Sequence, residues 1–206
     1  EYAGAAGGFI DKYGYPFCRG RVFDTLEKDN AQYDDSIEVF WATGACLFVR
    51  KDAFIRAGKL DTNFFAHMEE IDLCWRMINL GNKIMYCGDS EVYHVGGGTL
   101  NKANPKKTFL NFRNSLLMLY KNLPKQLIFK TIFIRLVLDG VASIQFLLKG
   151  NLKETIAIIK AHFSFYSHIR KYKTSTASKL PNNIVMTGIV YQYFAKGKKF
   201  YSDLDQ

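Results

Sequence analysis

The chain has 206 residues, 48% of them hydrophobic and 23% charged, with a formal net charge of +9 and a pI near 9.3. That composition suits one globular domain with an appendage. The positive charge asks for an anionic partner, and without a Cys/His finger or an RNP-like aromatic pattern nucleic acid is excluded in favour of a membrane surface or a phosphorylated ligand.

Residues 1–36 read as irregular, because Gly4, Gly7, Gly8, Gly14, Pro16 and Gly20 break any long element. Asp24, Glu27, Asp29, Asp34 and Asp35 make the end of this stretch an acidic, solvated loop. Glu38 to Arg50 reads as the first firm strand, with Val39, Phe40 and Trp41 on one side and Leu47, Phe48 and Val49 on the other. Between them the small residues Ala42, Thr43, Gly44 and Ala45 leave room for a ligand or a second backbone. Trp41 suits stacking on a sugar ring and core packing equally. A short helix follows from Lys51 to Ala57, ended by Gly58.

The densest chemistry comes next. Glu69, Glu70, Asp72 and Arg76 fall within eight positions, just after Phe64-Phe65 and His67-Met68. Ile71, Cys74, Trp75 and Ile78 repeat at i, i+3, i+4, i+7 and predict the buried stripe of a helix. Glu69, Asp72 and Arg76 then share a polar face, and Gly81 closes the helix. Two readings of the acids stand: helix-end electrostatics with Arg76 as partner, or a carboxylate that accepts a proton from an attacking hydroxyl. Apolar walls from Phe64, Phe65 and Met68 would raise a carboxylate's proton affinity and favour the second.

Lys83–Tyr86 and Glu91–Val95 read as two short strands around a Cys87-Gly88-Asp89-Ser90 turn. His94 ends the second and precedes Gly96-Gly97-Gly98-Thr99. Pro105 introduces a helix over Lys106–Lys121 that carries Arg113-Asn114. Leu127–Leu148 is strongly apolar, yet Lys130, Arg135 and Asp139 interrupt it. It therefore reads as amphipathic rather than membrane-spanning. Asn151–Lys171 is a further helix, Thr174–Lys179 a linker, and Ile184–Phe194 either helix or strand. The four cysteines, Cys18, Cys46, Cys74 and Cys87, form no C-x-x-C pair and read as thiols of a reducing, cytoplasmic compartment.

The ordered set Ala42-Thr43-Gly44-Ala45-Cys46, Gly58-Lys59-Leu60-Asp61, Phe64-Phe65, Glu69-Glu70-Ile71-Asp72-Leu73-Cys74-Trp75-Arg76, Gly81 and Val92-Tyr93-His94 resembles the second half of a family 2 glycosyltransferase, in its rhamnosyltransferase-like branch. The likeness covers about residues 1–122. It implies an α/β fold there, a partial GT-A (Rossmann-like) domain lacking its N-terminal nucleotide-binding half over 1–122. The pattern of the remaining residues, 123–206, reads as a mostly helical, membrane-associated appendage. The start at Glu1, without Met, agrees with a piece of a longer protein. The Asp-x-Asp metal motif of such enzymes is expected upstream, since Asp203-Leu204-Asp205 follows no buried strand.

The resemblance further implies inverting transfer from a nucleotide-sugar donor to a saccharide or lipid-linked acceptor, in bacterial polysaccharide biosynthesis. Glu70 takes the place of the catalytic base, where the family usually has Asp. Trp41, Thr43, Gly44, Glu69, Asp72 and Arg76 would bind or support the acceptor. Arg113 would face the donor phosphates or brace the site from beneath. His94 would be one ligand of a divalent metal, Mn²⁺ or Mg²⁺. The chain alone is expected to be inactive, and peripheral on the inner face of the cell membrane. The rival reading is a non-catalytic acceptor-binding or membrane-docking fragment.

Overall fold

The computed structural model describes residues 4–93 and 104–205. They form an α/β structure of antiparallel sheets and helices, in two compact units: 4–59, 73–93 and 181–205 make the first, 60–72 and 104–180 the second.

In the first unit four short strands form an antiparallel meander: β1 (Gly8–Ile10), β2 (Pro16–Cys18), β3 (Arg21–Val22) and β4 (Thr25–Leu26). The stretch expected to be irregular is therefore a small sheet. Gly14 and Gly20 make the first two reversals between its strands, at φ +73° and +78°. Asp11 ties the sheet to the end of the chain. Its carboxylate accepts from the N–H groups of Tyr13, Tyr15 and Ile189, each at 2.9 Å. Phe17 and Val22 then bury Ile189, Tyr193 and Leu204 in one apolar cluster. Residues 184–194, open between helix and strand from sequence, turn helical at 189–190 and continue as a π-helix over Tyr191–Ala195, while Val185 bridges to Asp11.

β5 (Ser36–Val39) pairs antiparallel with β6 (Ile84–Cys87), Val39 opposite Ile84. The strand expected from Glu38 to Arg50 thus ends at Val39, and no regular element covers 40–50. Tertiary contacts take over there. Phe40 meets the ring of Trp75 edge-on at 5.3 Å, and the Trp41 indole donates to the Phe9 carbonyl at 2.9 Å. A Cβ at Gly8 would lie 2.3 Å from that indole, so only glycine fits. Leu47, Phe48 and Val49 find no ladder, and Phe48 is exposed. Residues 91–93 likewise form no strand, while the rest of that expected strand, 94–95, lies outside the described residues.

α1 (Lys51–Arg56) is short, as expected. α2 (Glu69–Asn79) ends in a Schellman motif. Asn82 N–H donates to the Met77 carbonyl and Gly81 N–H to that of Ile78, with Gly81 at φ +84°.

The second unit is built on three packed helices, α3 (Pro105–Asn122), α4 (Lys125–Leu148) and α5 (Leu152–His168). Asn104 caps α3 by accepting from Lys106 N–H, with Pro105 in the first turn. Leu110, Leu116, Leu117, Met118 and Leu119 bury its apolar side. The segment 60–68, including a 3₁₀ turn at Thr62–Phe64, completes this unit and leads into α2.

Candidate active site

Four carboxylates stand within twelve residues of the second unit, and their surroundings divide them into two kinds. Asp61 opens the 3₁₀ turn and accepts from the N–H of Asn63 at 3.0 Å. The Lys121 ammonium, from α3, lies 2.8 Å from Asp61 and 2.9 Å from Asp72. Asn122 donates to the other Asp72 oxygen at 2.8 Å. Burial pushes the Asp61 carboxyl up, but its bonds from Lys121 and Asn63 outweigh that and hold it below its ordinary range. The Asp72 side chain is wholly buried. These two acids are therefore structural, each compensated by a cation and an amide. The hydroxyl of Tyr172, whose ring lies 5.2 Å from Lys121, is pushed up to about 12 by burial and by the charges of Asp61 and Asp72.

Glu69 and Glu70 are the other kind. Each keeps one carboxylate oxygen that is shielded from solvent and has no hydrogen-bond partner among the described residues. Burial and the neighbouring Glu69 charge raise Glu70 to about 7, against the backbone N–H groups of Glu70 and Ile71, which pull it down. A helix N-terminus ordinarily favours the ionised acid, so desolvation wins here. His67 shares this character: its Nε2 is shielded and unpartnered, and burial first, then Lys107, lower its proton affinity. A carboxyl poised near neutrality can take a proton from a hydroxyl.

The loop that presents these groups is strained and braced. Phe65, His67 and Met68 hold φ of 64°, 68° and 70°, a left-handed region that non-glycine residues rarely adopt. α3 supplies the brace. Asn114 donates to the carbonyls of Phe64, Ala66 and His67 at 3.0, 2.9 and 2.8 Å. Arg113 donates to the carbonyls of Asn63 and Phe64, and through its Nε to Asn114 at 2.9 Å. Burial lowers the proton affinity of Arg113.

The remaining expected residues are placed as follows. Arg76 donates to the carbonyls of Ala57 and Lys59, tying the end of α1 to α2. Trp41 is buried in the first unit, a core position. Thr43 and Gly44 belong to the same unit, where the Thr43 carbonyl closes a turn with Cys46 N–H and Gly44 is exposed. His94 lies outside the described residues, and among the described residues no group of three or more His, Cys, Asp or Glu is placed to hold a metal ion. The reading from sequence missed His67, Lys121 and Asn122. Lys121 stands seven residues after Asn114, two turns on along the same buried face, and that polar stripe was the available signal.

Two curated proteins are similar to part of the chain. Both carry the name N-acetylglucosaminyl-diphospho-decaprenol L-rhamnosyltransferase and come from Mycobacterium tuberculosis, strains CDC 1551 / Oshkosh and ATCC 25618 / H37Rv. Each is 39% identical over 79 residues, which is 38% of this chain and 26% of the relative. The chain thus spans about a quarter of the length of the curated relatives it matches. No family model matches the chain, and no solved structure matches it. The similarity relates the chain, in general terms, to the glycosyltransferases.

Proposed function

We propose that this chain is the acceptor-side part of an inverting glycosyltransferase of the GT-A type, with Glu70 as its general base. The observation that carries the reading is the Glu70 carboxylate itself: shielded, incompletely bonded, and raised to about 7 on a braced loop. Glu70 would accept the proton of an acceptor hydroxyl while that oxygen attacks the anomeric carbon of a nucleotide sugar. The new C–O bond forms on the face opposite the leaving diphosphate, whose C–O bond breaks, so the configuration inverts. One carboxylate suffices, because the diphosphate needs no protonation of the kind that glycoside hydrolases supply with a second acid. Burial, and after it the Glu69 charge, raises the proton affinity of Glu70, and the unpartnered Glu69 oxygen would accept from an acceptor hydroxyl. Asp72 supports the helix start. A divalent metal with His94 as one ligand, also part of this proposal, would offset charge on the leaving diphosphate.

The relatives' name specifies rhamnose as the transferred sugar and a decaprenol-linked saccharide as the acceptor. From it we take a lipid-linked saccharide acceptor as the class to test first. The experiment is sugar transfer by the full-length enzyme carrying Glu70→Gln. The expected loss is about 10²–10⁴-fold in kcat, the usual contribution of a general base, with partial activity in Glu70→Asp. Transfer by Glu70→Gln within a few fold of wild type would move the role to Glu69.

A further inference from the structure

We propose that the outward face of α4 docks on an anionic membrane surface. Past Lys130 the helix carries its charges inward. Between Lys130 and Lys149 its charged residues are Arg135 and Asp139, both buried. Arg135 Nε lies 3.5 Å from Asp139, and the other Asp139 oxygen lies 3.2 Å from His162 Nε2 on α5. What faces outward is apolar: Phe129, Phe133, Val137, Val141, Ile144 and Leu148, exposed by 53–84%. Steps of three and four residues place them on one stripe, roughly 29 Å long at the rise of an α-helix. A helix facing water has the reverse arrangement, and a contiguous apolar patch of this kind marks a docking surface.

Charge selects the occupant. Lys125, Lys130, Lys149 and Lys153 are exposed at the two ends of the stripe. From 125 to 173 the chain has nine Lys and Arg against two Asp and Glu. A second copy would set these lysines against each other, whereas anionic lipid headgroups complement them. Among the described residues no helix is long and apolar enough to cross a membrane, so α4 lies in the interface, with its apolar stripe in the acyl boundary and its lysines among headgroups. This surface would hold the proposed active site near a lipid-linked acceptor, yet its apolar exposure and its lysines are independent of Glu70.

The test is co-sedimentation of the 206-residue chain with vesicles of phosphatidylcholine mixed with phosphatidylglycerol, beside vesicles of phosphatidylcholine alone. The chain should pellet with the anionic vesicles, more weakly with the neutral ones, and less as salt rises. Lys130→Gln with Lys153→Gln should weaken binding about 25-fold, near fivefold for each lysine. Val137→Glu with Val141→Glu, at positions exposed enough to leave folding intact by circular dichroism, should reduce it on the order of 100-fold. Glu70→Gln should pellet like wild type, so this inference and the transfer reading fail separately. Folded wild-type chain left in the supernatant with anionic vesicles would overturn the proposal. So would undiminished binding by the Val137/Val141 variant, or a wild-type dimer that the same variant dissociates, which would mean that a second copy covers the face.

Discussion

Glu70 opens a helix, where the dipole and two backbone N–H groups favour its charge, and yet burial and Glu69 keep its proton on until about pH 7. A group of this kind should set the pH dependence of transfer. On the proposed reading kcat/KM rises with pH through about 7, as the base loses its proton. Glu69→Gln removes one of the two causes of the raised value, so the inflection in a pH–rate profile should move to lower pH. Stability carries the opposite sign. The unfolded acid titrates near its ordinary 4.5 and the folded one near 7, so the native state holds the extra proton between these values. The contribution of Glu70 to stability is full below about pH 4.5 and is lost as pH rises through 7. Urea unfolding at pH 8 should therefore find Glu70→Gln more stable than wild type, by on the order of 1–3 kcal/mol. At pH 4 the two should agree.

At the scale of elements, the loop 63–68 depends on α3. Its left-handed residues cost on the order of 1 kcal/mol each or more, and the carbonyls they turn inward are met by Asn114 and Arg113. Asn114→Leu leaves the Ala66 and His67 carbonyls without their side-chain donor, while that of Phe64 keeps Arg113. The expected loss of stability is about 2–4 kcal/mol, with hydrogen exchange accelerated at amides 62–70 and not along α5. Equal exchange at both places would mean that Asn114 supports the helices rather than the loop. The apolar stripe of α2 was legible from its spacing: Ile71, Cys74 and Trp75 are buried as the period requires. The polar face was not legible in the same way. Glu69, Asp72 and Arg76 share a spacing, but Lys121 and Asn122, some fifty residues on, enclose Asp72 alone. No local period reports a partner that far along the chain.

At the scale of the molecule, the chain's last residues return to its first sheet. Ile189, Tyr193 and Leu204 pack on Phe17 and Val22, and Asp11 fixes Ile189 through its N–H. Burial of three such side chains is worth about 5–8 kcal/mol, comparable with the whole stability of a small domain. A chain ending at Leu180 should therefore lose the cooperative melt of the first unit. An unchanged melting temperature would show that this unit folds without residues 181–205. Composition and period determined the local facts: the amphipathic α2, the proline-led start of α3, the short α1, the long apolar α4 interrupted by Arg135 and Asp139. They follow from backbone sterics and hydrophobic spacing within a few turns, which a linear reading contains. The likeness to glycosyltransferases was legible for the same reason, as residue types held at short, ordered intervals. Only the tertiary structure decided that the glycine-rich start is a sheet, that Glu38–Arg50 stops pairing at Val39, and that Asp61 and Asp72 are compensated while Glu69 and Glu70 each keep a shielded oxygen with no hydrogen-bond partner among the described residues. Each of those outcomes depends on a partner distant in sequence, because pairing and desolvation are properties of what surrounds a group in space.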